Sequence, residues 1–282
     1  MGKECFLKIL FLLFIIAITL ITCRKEEQMT FNKNDLSRLD ISQEQLDQLK
    51  AKRILFGHQS VGNNILDGIK KLMECNLGLH LTIQEVNSPD VFDQPLFGHF
   101  SVGRNTDPKS KCDSFKKIMD SGIGDNVDIA FFKFCYVDIN NNTDIYELFD
   151  YYVKTIEHLK TQYPKAIFIH VTVPLTTTPH NLKGKIKSNI RRILGRPNQF
   201  YISTKRNNYN KLLSRKYHGK DPIYDLASIE STLPDGYQYT FFYNGETYKS
   251  LAPMYTHDGG HLNDLGQIIV AKSLIRFLCD LI

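Results

Sequence analysis

The sequence predicts an α/β protein in which helices flank a mainly parallel β-sheet. Segments typical of strands and of helices alternate from residue 52 to the end of the chain, the order found in parallel sheets. One of them, Val127–Phe134, is predominantly apolar, as expected for a strand buried on both faces. With 282 residues and 42% hydrophobic content, the chain can bury one sizeable core, and its 23% charged content argues against disorder.

The first 23 residues are typical of a targeting segment. Lys3 and Lys8 precede an almost continuously apolar stretch, and about 14 apolar residues suit a signal-peptide core better than a membrane span. Cys23 follows where a lipobox cysteine would stand, which predicts a bacterial lipoprotein anchored to a membrane of the cell envelope. An uncleaved signal anchor and plain secretion are the alternatives, because Thr22 is bulkier than the residue that usually precedes such a cysteine.

Residues 24–50 are polar and predict a tether with a short helix near Ser42–Lys50, and the main domain is predicted over residues 51–282. Strands are expected at Lys52–Phe56, Leu79–Val86, Val127–Phe134, Ala166–Val173 and Pro222–Asp225. Helices are expected at Gly62–Glu74, Ser114–Ser121, Asp144–Gln162, Thr204–Tyr217 and Asp264–Leu278. Residues 237–248 alternate around Asn244-Gly245 and predict a hairpin.

Two segments of the domain lack a regular pattern. Asn87–Asp113 is rich in proline and glycine and predicts a long loop, and such loops are often functional. Residues 176–200 form a basic insertion that is expected to be either a solvated helix face or a surface for anionic glycans or lipid head groups. Its basic residues are Lys183, Lys185, Lys187, Arg191, Arg192 and Arg196, and Lys205 and Arg206 follow.

The most informative stretch is Asp258-Gly-Gly-His261-Leu-Asn. An acid and an imidazole three residues apart in a tight bend can hydrogen-bond, as the acid and base of a Ser-His-Asp triad do. Ser60 lies shortly after the end of the first predicted strand, and ligands of parallel sheets bind beyond the carboxyl ends of the strands. We therefore predict Ser60 as nucleophile, His261 as base and Asp258 as the acid that orients it. The alternative is structural: Asp258 caps the last helix, His261 packs beneath it and Ser60 is only an N-cap.

The order Ser…Asp…His, with the acid three residues before the base and just ahead of the C-terminal helix, resembles the SGNH (GDSL-type) hydrolases. The resemblance spans about residues 52–279 and is most specific at Asp258–Gly266. It implies a three-layer α/β/α, flavodoxin-like fold with a five-stranded, mainly parallel sheet. It also implies a serine esterase in which the backbone N–H of Gly103 contributes to the oxyanion hole.

The chain departs from that family at two motifs. The family's Gly-Asp-Ser is Gly57-His58-Gln59-Ser60 here, and the Asn of its Gly-x-Asn-Asp turn is replaced by Val137. Loss of one oxyanion donor costs about 3 kcal/mol. Asn105 is the candidate replacement, with loop solvation or an Asx-turn as the alternative. His58 is a candidate substrate contact, or else a strand-end histidine that is satisfied by backbone.

The leading hypothesis is an exported serine esterase that hydrolyses an oxygen ester, such as an acetyl or other acyl group on a glycan, through a Ser60 acyl-enzyme. An acyltransferase that passes the acyl group to a glycan hydroxyl would use the same residues. A non-catalytic glycan-binding lipoprotein on the same fold is the third hypothesis.

No cofactor, metal or nucleic-acid partner is predicted. The formal net charge of +5 is small, and neither metal-ligand spacing nor a Gly-rich phosphate loop is present in the sequence. Cys75, Cys112, Cys135 and Cys279 are scattered, so free thiols and one or two disulfides are both open.

Overall fold

The computed structural model describes residues 38–178 and 198–282. The predicted targeting segment with Cys23, most of the tether, and the six basic residues from Lys183 to Arg196 lie outside the described residues. Within the described part, none of the helices is both long enough and apolar enough to cross a membrane.

Strands and helices alternate as the sequence pattern indicates. The strands are β1 Arg53–His58, β2 Ile83–Glu85, β3 Leu96–Ser101, β4 Ile129–Phe132, β5 Ile167–Phe168, β6 His170–Val171, β7 Ile223–Tyr224, β8 Thr240–Tyr243 and β9 Glu246–Lys249. The helices are α1 Gln43–Lys50, α2 Ser60–Cys75, α3 Pro108–Ile118, α4 Ile145–Gln162, α5 Gln199–Tyr217, α6 Leu226–Ser231 and α7 Asp264–Leu281. A π-helical turn, Met119–Ile123, extends α3, and 3-10 turns occupy Pro89–Asp93, Tyr136–Asp138 and Pro253–Tyr255.

The central sheet has five strands in the order β2-β3-β1-β4-β5, and every neighbouring pair is parallel. A single residue, Ile169, separates β5 from β6, and its N–H donates to the Ala130 carbonyl of β4 at 3.2 Å. β6 then pairs in parallel with β7, while β8 and β9 form the predicted hairpin. The predicted α/β class with a five-stranded parallel sheet is confirmed.

Helices cover both faces of this sheet. On one face α3, α4 and α5 contribute to a single buried cluster with Leu55 of β1 and Phe132 of β4. Side chains alternate along a strand, so the neighbours of Leu55 point to the opposite face. There α2 packs beside β1 so closely that a Cβ on Gly62 would lie 2.2 Å from the His58 Cβ. α2 also packs against α7, since a Cβ on Gly68 would lie 2.2 Å from the Gln267 carbonyl oxygen.

The predicted long loop at Asn87–Asp113 is wrong. It contains β3, which lies inside the sheet between β1 and β2, and the first turns of α3. The pattern concealed β3 because Gly98 and His99 interrupt its apolar residues. Gly98 is required by packing: a Cβ there would lie 2.6 Å from the Phe92 ring.

Other boundaries differ locally. The expected strand Leu79–Val86 is reduced to the short edge strand β2, and Ala166–Val173 is divided between β5 and β6. α1 begins with a capping box between Ser42 and Gln45, and its Leu49 is buried.

Cys112, Cys135 and Cys279 are buried free thiols, and Cys75 is an exposed one.

Candidate active site

The structure brings Ser60, His261 and Asp258 together although Ser60 and His261 are 201 residues apart in the chain. His261 Nε2 lies 3.0 Å from Ser60 Oγ, and His261 Nδ1 lies 2.6 Å from Asp258 Oδ2. Ser60 is half-buried, while the side chains of His261 and Asp258 are 41% and 56% exposed. The hydroxyl, the imidazole and the carboxylate therefore form a continuous hydrogen-bonded chain at the surface of the domain.

The bend at residues 258–261 fixes the acid and the base. Gly259 has φ +87°, a conformation that favours glycine. Asp258 Oδ1 accepts from the backbone N–H groups of Gly260 at 2.9 Å and His261 at 2.8 Å. The hydrogen bond from the His261 side chain, with help from these backbone donors, holds the pKa of Asp258 well below its usual range. The carboxylate is thus ionised and positioned to accept a hydrogen bond from the His261 Nδ1–H group.

Ser60 is the first residue of α2, at the carboxyl end of β1. The preceding Gln59 is fixed by its side-chain amide, which donates to Ser101 Oγ at 3.0 Å and to the carbonyls of Val102 at 3.0 Å and Gly103 at 2.9 Å. These bonds tie the Ser60 turn to the end of β3. Ser60 also lies at a helix N-terminus, where the first backbone N–H groups have no partner in the helix and favour negative charge.

His58 lies beneath the site and is buried. Its Nδ1 lies 3.0 Å from the Gln59 carbonyl, and its Nε2 lies 3.2 Å from His99 Nδ1. Burial lowers the pKa of His58 to about 4, with a backbone hydrogen bond opposing that shift and Lys133 adding to it. Both ring nitrogens have partners, which leaves none for a substrate. The arrangement matches the backbone-satisfied alternative, and His58 supports the residue before Ser60.

Gly103 and Asn105 lie in the loop that follows β3. Gly103 has φ +50°, and a Cβ there would lie 2.6 Å from the Lys111 backbone nitrogen. Asn105 is exposed, and its Oδ1 accepts from Lys111 Nζ at 3.0 Å. Because an ammonium can only donate, this bond turns the Asn105 Nδ2 group away from Lys111.

A buried ion pair supports that loop. Lys111 Nζ lies 2.6 Å from Asp138 Oδ2, and both side chains are 0% exposed. The same carboxylate accepts from the backbone N–H groups of Cys135 at 2.6 Å and Thr106 at 2.9 Å. Asp138 therefore joins the turn after β4 to the loop after β3.

Two residues at the site were not singled out from the sequence. Tyr136, in the turn after β4, has its hydroxyl 3.5 Å from His261 Nε2. Arg206 donates from Nε to the Tyr136 carbonyl at 2.8 Å. Arg206 is 7% exposed, so its grouping with the basic surface was wrong: it is a buried residue of the site's support. The only sequence signal was the position of Tyr136 after a strand end.

No group of three or more His, Cys, Asp or Glu side chains could hold a metal ion within residues 38–178 and 198–282.

No sequence-family model and no curated protein matches the chain. Among solved structures, the chain is similar to a provisionally assigned acylhydrolase of Bacteroides fragilis, with 16% identity and a TM-score of 0.47 over 89% of this chain and 99% of that one. A provisionally assigned GDSL-like lipase of Parabacteroides merdae matches with 10% identity and a TM-score of 0.47 over 81% of this chain and 96% of that one. The periplasmic domain of a lipopolysaccharide acetyltransferase of Salmonella ser. Paratyphi A matches with 12% identity and a TM-score of 0.42 over 90% of this chain and 97% of that one.

Proposed function

We propose that this chain is a divergent SGNH-type serine esterase that cleaves an oxygen ester through a covalent acyl-enzyme on Ser60. The observation that carries the proposal is the hydrogen-bonded chain Asp258–His261–Ser60, with separations of 2.6 Å and 3.0 Å. A serine hydroxyl is a weak nucleophile until a neighbouring base takes its proton, and these distances lie within hydrogen-bond reach.

The proposed steps follow from the hydrogen bonds. Nδ1 of His261 donates to Asp258, so Nε2 carries the lone pair that faces Ser60. Nε2 takes the Ser60 proton as Oγ bonds to the ester carbonyl carbon, and then gives that proton to the departing alkoxide as the carbon–oxygen bond breaks. Water repeats the sequence on the acyl-enzyme and releases the acid. Asp258 stabilises the imidazolium that forms in each half.

An oxyanion develops on the carbonyl oxygen and needs donors that are already in position. We propose the backbone N–H groups of Ser60, at the N-terminus of α2, and of Gly103 for this role. Val137 offers no side-chain donor, and Asn105 Nδ2 is the proposed third donor. The Lys111 contact at 3.0 Å supports this assignment, because it fixes which end of the Asn105 amide is free to donate.

The proposed substrate is an acetyl or other acyl ester on a glycan. The solvent exposure of His261 and Asp258 supports an ester carried on a large molecule, since such an ester needs an open site rather than a tunnel. The same exposure gives water access to the acyl-enzyme and favours hydrolysis over transfer. Analysis of products with and without an added sugar acceptor separates the two, because a transferase would yield acylated acceptor.

We also propose that the chain is exported and anchored in the cell envelope through lipidated Cys23. The support is the apolar N-terminal stretch and the cysteine that ends it. Palmitate labelling that disappears in Cys23→Ala is the expected result. Labelling that persists in this variant would exclude Cys23 as the anchor.

Substitution of Ser60 tests the proposed activity directly. Ser60→Ala should abolish turnover of p-nitrophenyl acetate and labelling by a fluorophosphonate, because both require the nucleophile. Ser214→Ala, at an exposed position of α5, is the matched control and should retain both. Full turnover by Ser60→Ala would exclude Ser60 as nucleophile. Absence of labelling in the wild-type protein together with carbohydrate binding would instead favour the non-catalytic alternative.

A further inference from the structure

Two hydroxyl groups converge on one nitrogen of the proposed base. Ser60 Oγ lies 3.0 Å from His261 Nε2, and the Tyr136 hydroxyl lies 3.5 Å from the same atom. The Tyr136 ring meets the imidazole edge-to-face, with centroids 5.7 Å apart and planes at 72°. With Nδ1 donating to Asp258, an unprotonated Nε2 is an acceptor, and either hydroxyl can donate to it.

Tyr136 is held in this position by Arg206 on one side and by the bend at Gly260 on the other. Arg206 donates from Nε to its carbonyl at 2.8 Å, and the guanidinium lies 5.8 Å from the centroid of its ring. Arg206 is itself fixed by a 2.8 Å hydrogen bond from Nη1 to Thr176 Oγ1. On the side of the bend, a Cβ on Gly260 would lie 2.7 Å from the Tyr136 Cζ, so glycine leaves room for the ring. These contacts make Tyr136 a fixed part of the site.

The hydroxyl of Tyr136 remains a donor under ordinary conditions. Burial raises the pKa of Tyr136, and the negative charge of Asp258 raises it further. The phenol therefore keeps its proton at neutral pH, and it is available for a hydrogen bond to an oxygen that gains negative charge.

Proton transfer changes what Tyr136 can bond to. Once Nε2 has taken the Ser60 proton it becomes a donor, and the Tyr136 O–H loses its acceptor. The oxygen of the departing alcohol must lie within hydrogen-bond distance of Nε2 to receive that proton. The Tyr136 hydroxyl lies 3.5 Å from the same nitrogen. The Tyr136 oxygen and the oxygen of the departing alcohol are therefore neighbours when the ester bond breaks.

We propose that Tyr136 is a further catalytic residue, whose hydroxyl donates a hydrogen bond to the leaving-alcohol oxygen as the ester bond breaks. This inference rests on the proposed esterase function and names the class of substrate to which the site is adapted: esters of alkyl or sugar alcohols. Their alkoxides are strongly basic and need stabilisation as the bond breaks. A nitrophenolate disperses its charge over the ring and needs little. No proton leaves Tyr136: the proton that the alcohol receives comes from Ser60 through His261.

The test is the dependence of kcat/KM on the leaving group in Tyr136→Phe. This ratio reports acylation, the step in which the alcohol departs. Acetate esters of p-nitrophenol, phenol, a simple alkyl alcohol and a methyl glycoside form the series. We expect kcat/KM to fall by about 10–100-fold for the alkyl and sugar esters, the effect of one lost hydrogen bond to a charged oxygen, and by less than about threefold for p-nitrophenyl acetate. Tyr146→Phe, at an exposed position of α4, is the matched control and should leave the whole series unchanged.

A second measurement separates chemistry from structural damage. Fluorophosphonates expel fluoride, a weak base, so Tyr136→Phe should label Ser60 at close to the wild-type rate. An equal loss across all esters, no loss at all, or a parallel loss of labelling would each overturn the role of Tyr136. None of these outcomes bears on Ser60: the proposed esterase function fails only if Ser60→Ala still turns over p-nitrophenyl acetate, or if the wild-type protein does not.

Discussion

Replacing Lys111 by methionine tests whether the buried ion pair beneath the site holds its loops together. Lys111 and Asp138 are both 0% exposed, and their charged atoms lie 2.6 Å apart. Methionine keeps much of the side-chain volume but removes the ammonium, which leaves the Asp138 carboxylate buried with only backbone donors from Cys135 and Thr106. Breaking a buried pair in this way costs about 3–5 kcal/mol, because an uncompensated charge remains in a medium that solvates it poorly.

The same helix supplies a matched control. Lys109 pairs with Glu147 at 2.5 Å, but these side chains are 44% and 67% exposed. Water solvates both partners when the pair is broken, so Lys109→Met should cost no more than about 1 kcal/mol. The two substitutions lie two residues apart in α3, and they differ in whether the ion pair that is broken is exposed or buried.

The assay is urea unfolding followed by far-ultraviolet circular dichroism, with the free energy of unfolding extrapolated to water. Lys111→Met should be less stable than Lys109→Met by about 2–5 kcal/mol. In a double-mutant cycle, Lys111→Met combined with Asp138→Asn should cost less than the sum of the two single changes, because the orphaned charge is gone. Equal stabilities of Lys111→Met and Lys109→Met would refute the structural role that we assign to the pair.

Three further outcomes follow from the site. Asp258→Asn should lower kcat for p-nitrophenyl acetate by about 10³–10⁴-fold with the circular dichroism spectrum retained, because an amide no longer fixes the tautomer of His261; a loss below tenfold would contradict the proposed role of Asp258. Gly260→Ala should reproduce the leaving-group dependence of Tyr136→Phe, since the new Cβ would lie 2.7 Å from the Tyr136 Cζ, and an unchanged ester series would show that the ring tolerates the methyl group. His58 has its pKa lowered from 6.5 to about 4, so the unfolded state binds the proton more readily and stability should fall as the pH decreases from 6.5 toward 4. At about 1.4 kcal/mol per pKa unit, this shift corresponds to a loss of about 3 kcal/mol of folding free energy. Urea unfolding of His58→Asn should therefore show a correspondingly weaker acid destabilisation. A pH dependence equal to that of the wild-type protein would refute this role of His58.

Much of the site could be predicted because its decisive pieces are local. Asp258 and His261 are three residues apart, and two glycines allow the bend in which the carboxylate meets the imidazole. Ser60 stands where an apolar strand passes into an amphipathic helix, and the position of such a junction is readable from the change in periodicity. The hairpin at Asn244-Gly245 and the last helix were predicted from the same kind of short-range signal.

The interpretation failed where packing overrides the local pattern. The sequence pattern indicates a loop where β3 lies, because Gly98 takes a close-packed position and His99 a half-buried one in a strand within the sheet. The sequence places Arg206 next to a run of basic residues and favours a surface position, but Arg206 is buried and hydrogen-bonded to Tyr136 and Thr176. Neither outcome is visible in a window of neighbouring residues.

The sequence by itself determined the alternation of strands and helices, the acid–base pair of the bend and the junction that carries the serine, because short-range steric preferences and hydrogen bonds are sufficient to set them. Only the tertiary structure decided that the serine meets the imidazole across 201 residues, that Tyr136 shares the same nitrogen, and that His58 faces the interior. Parallel strands are joined by long crossovers, so the residues at their carboxyl ends become neighbours only when the whole sheet is assembled.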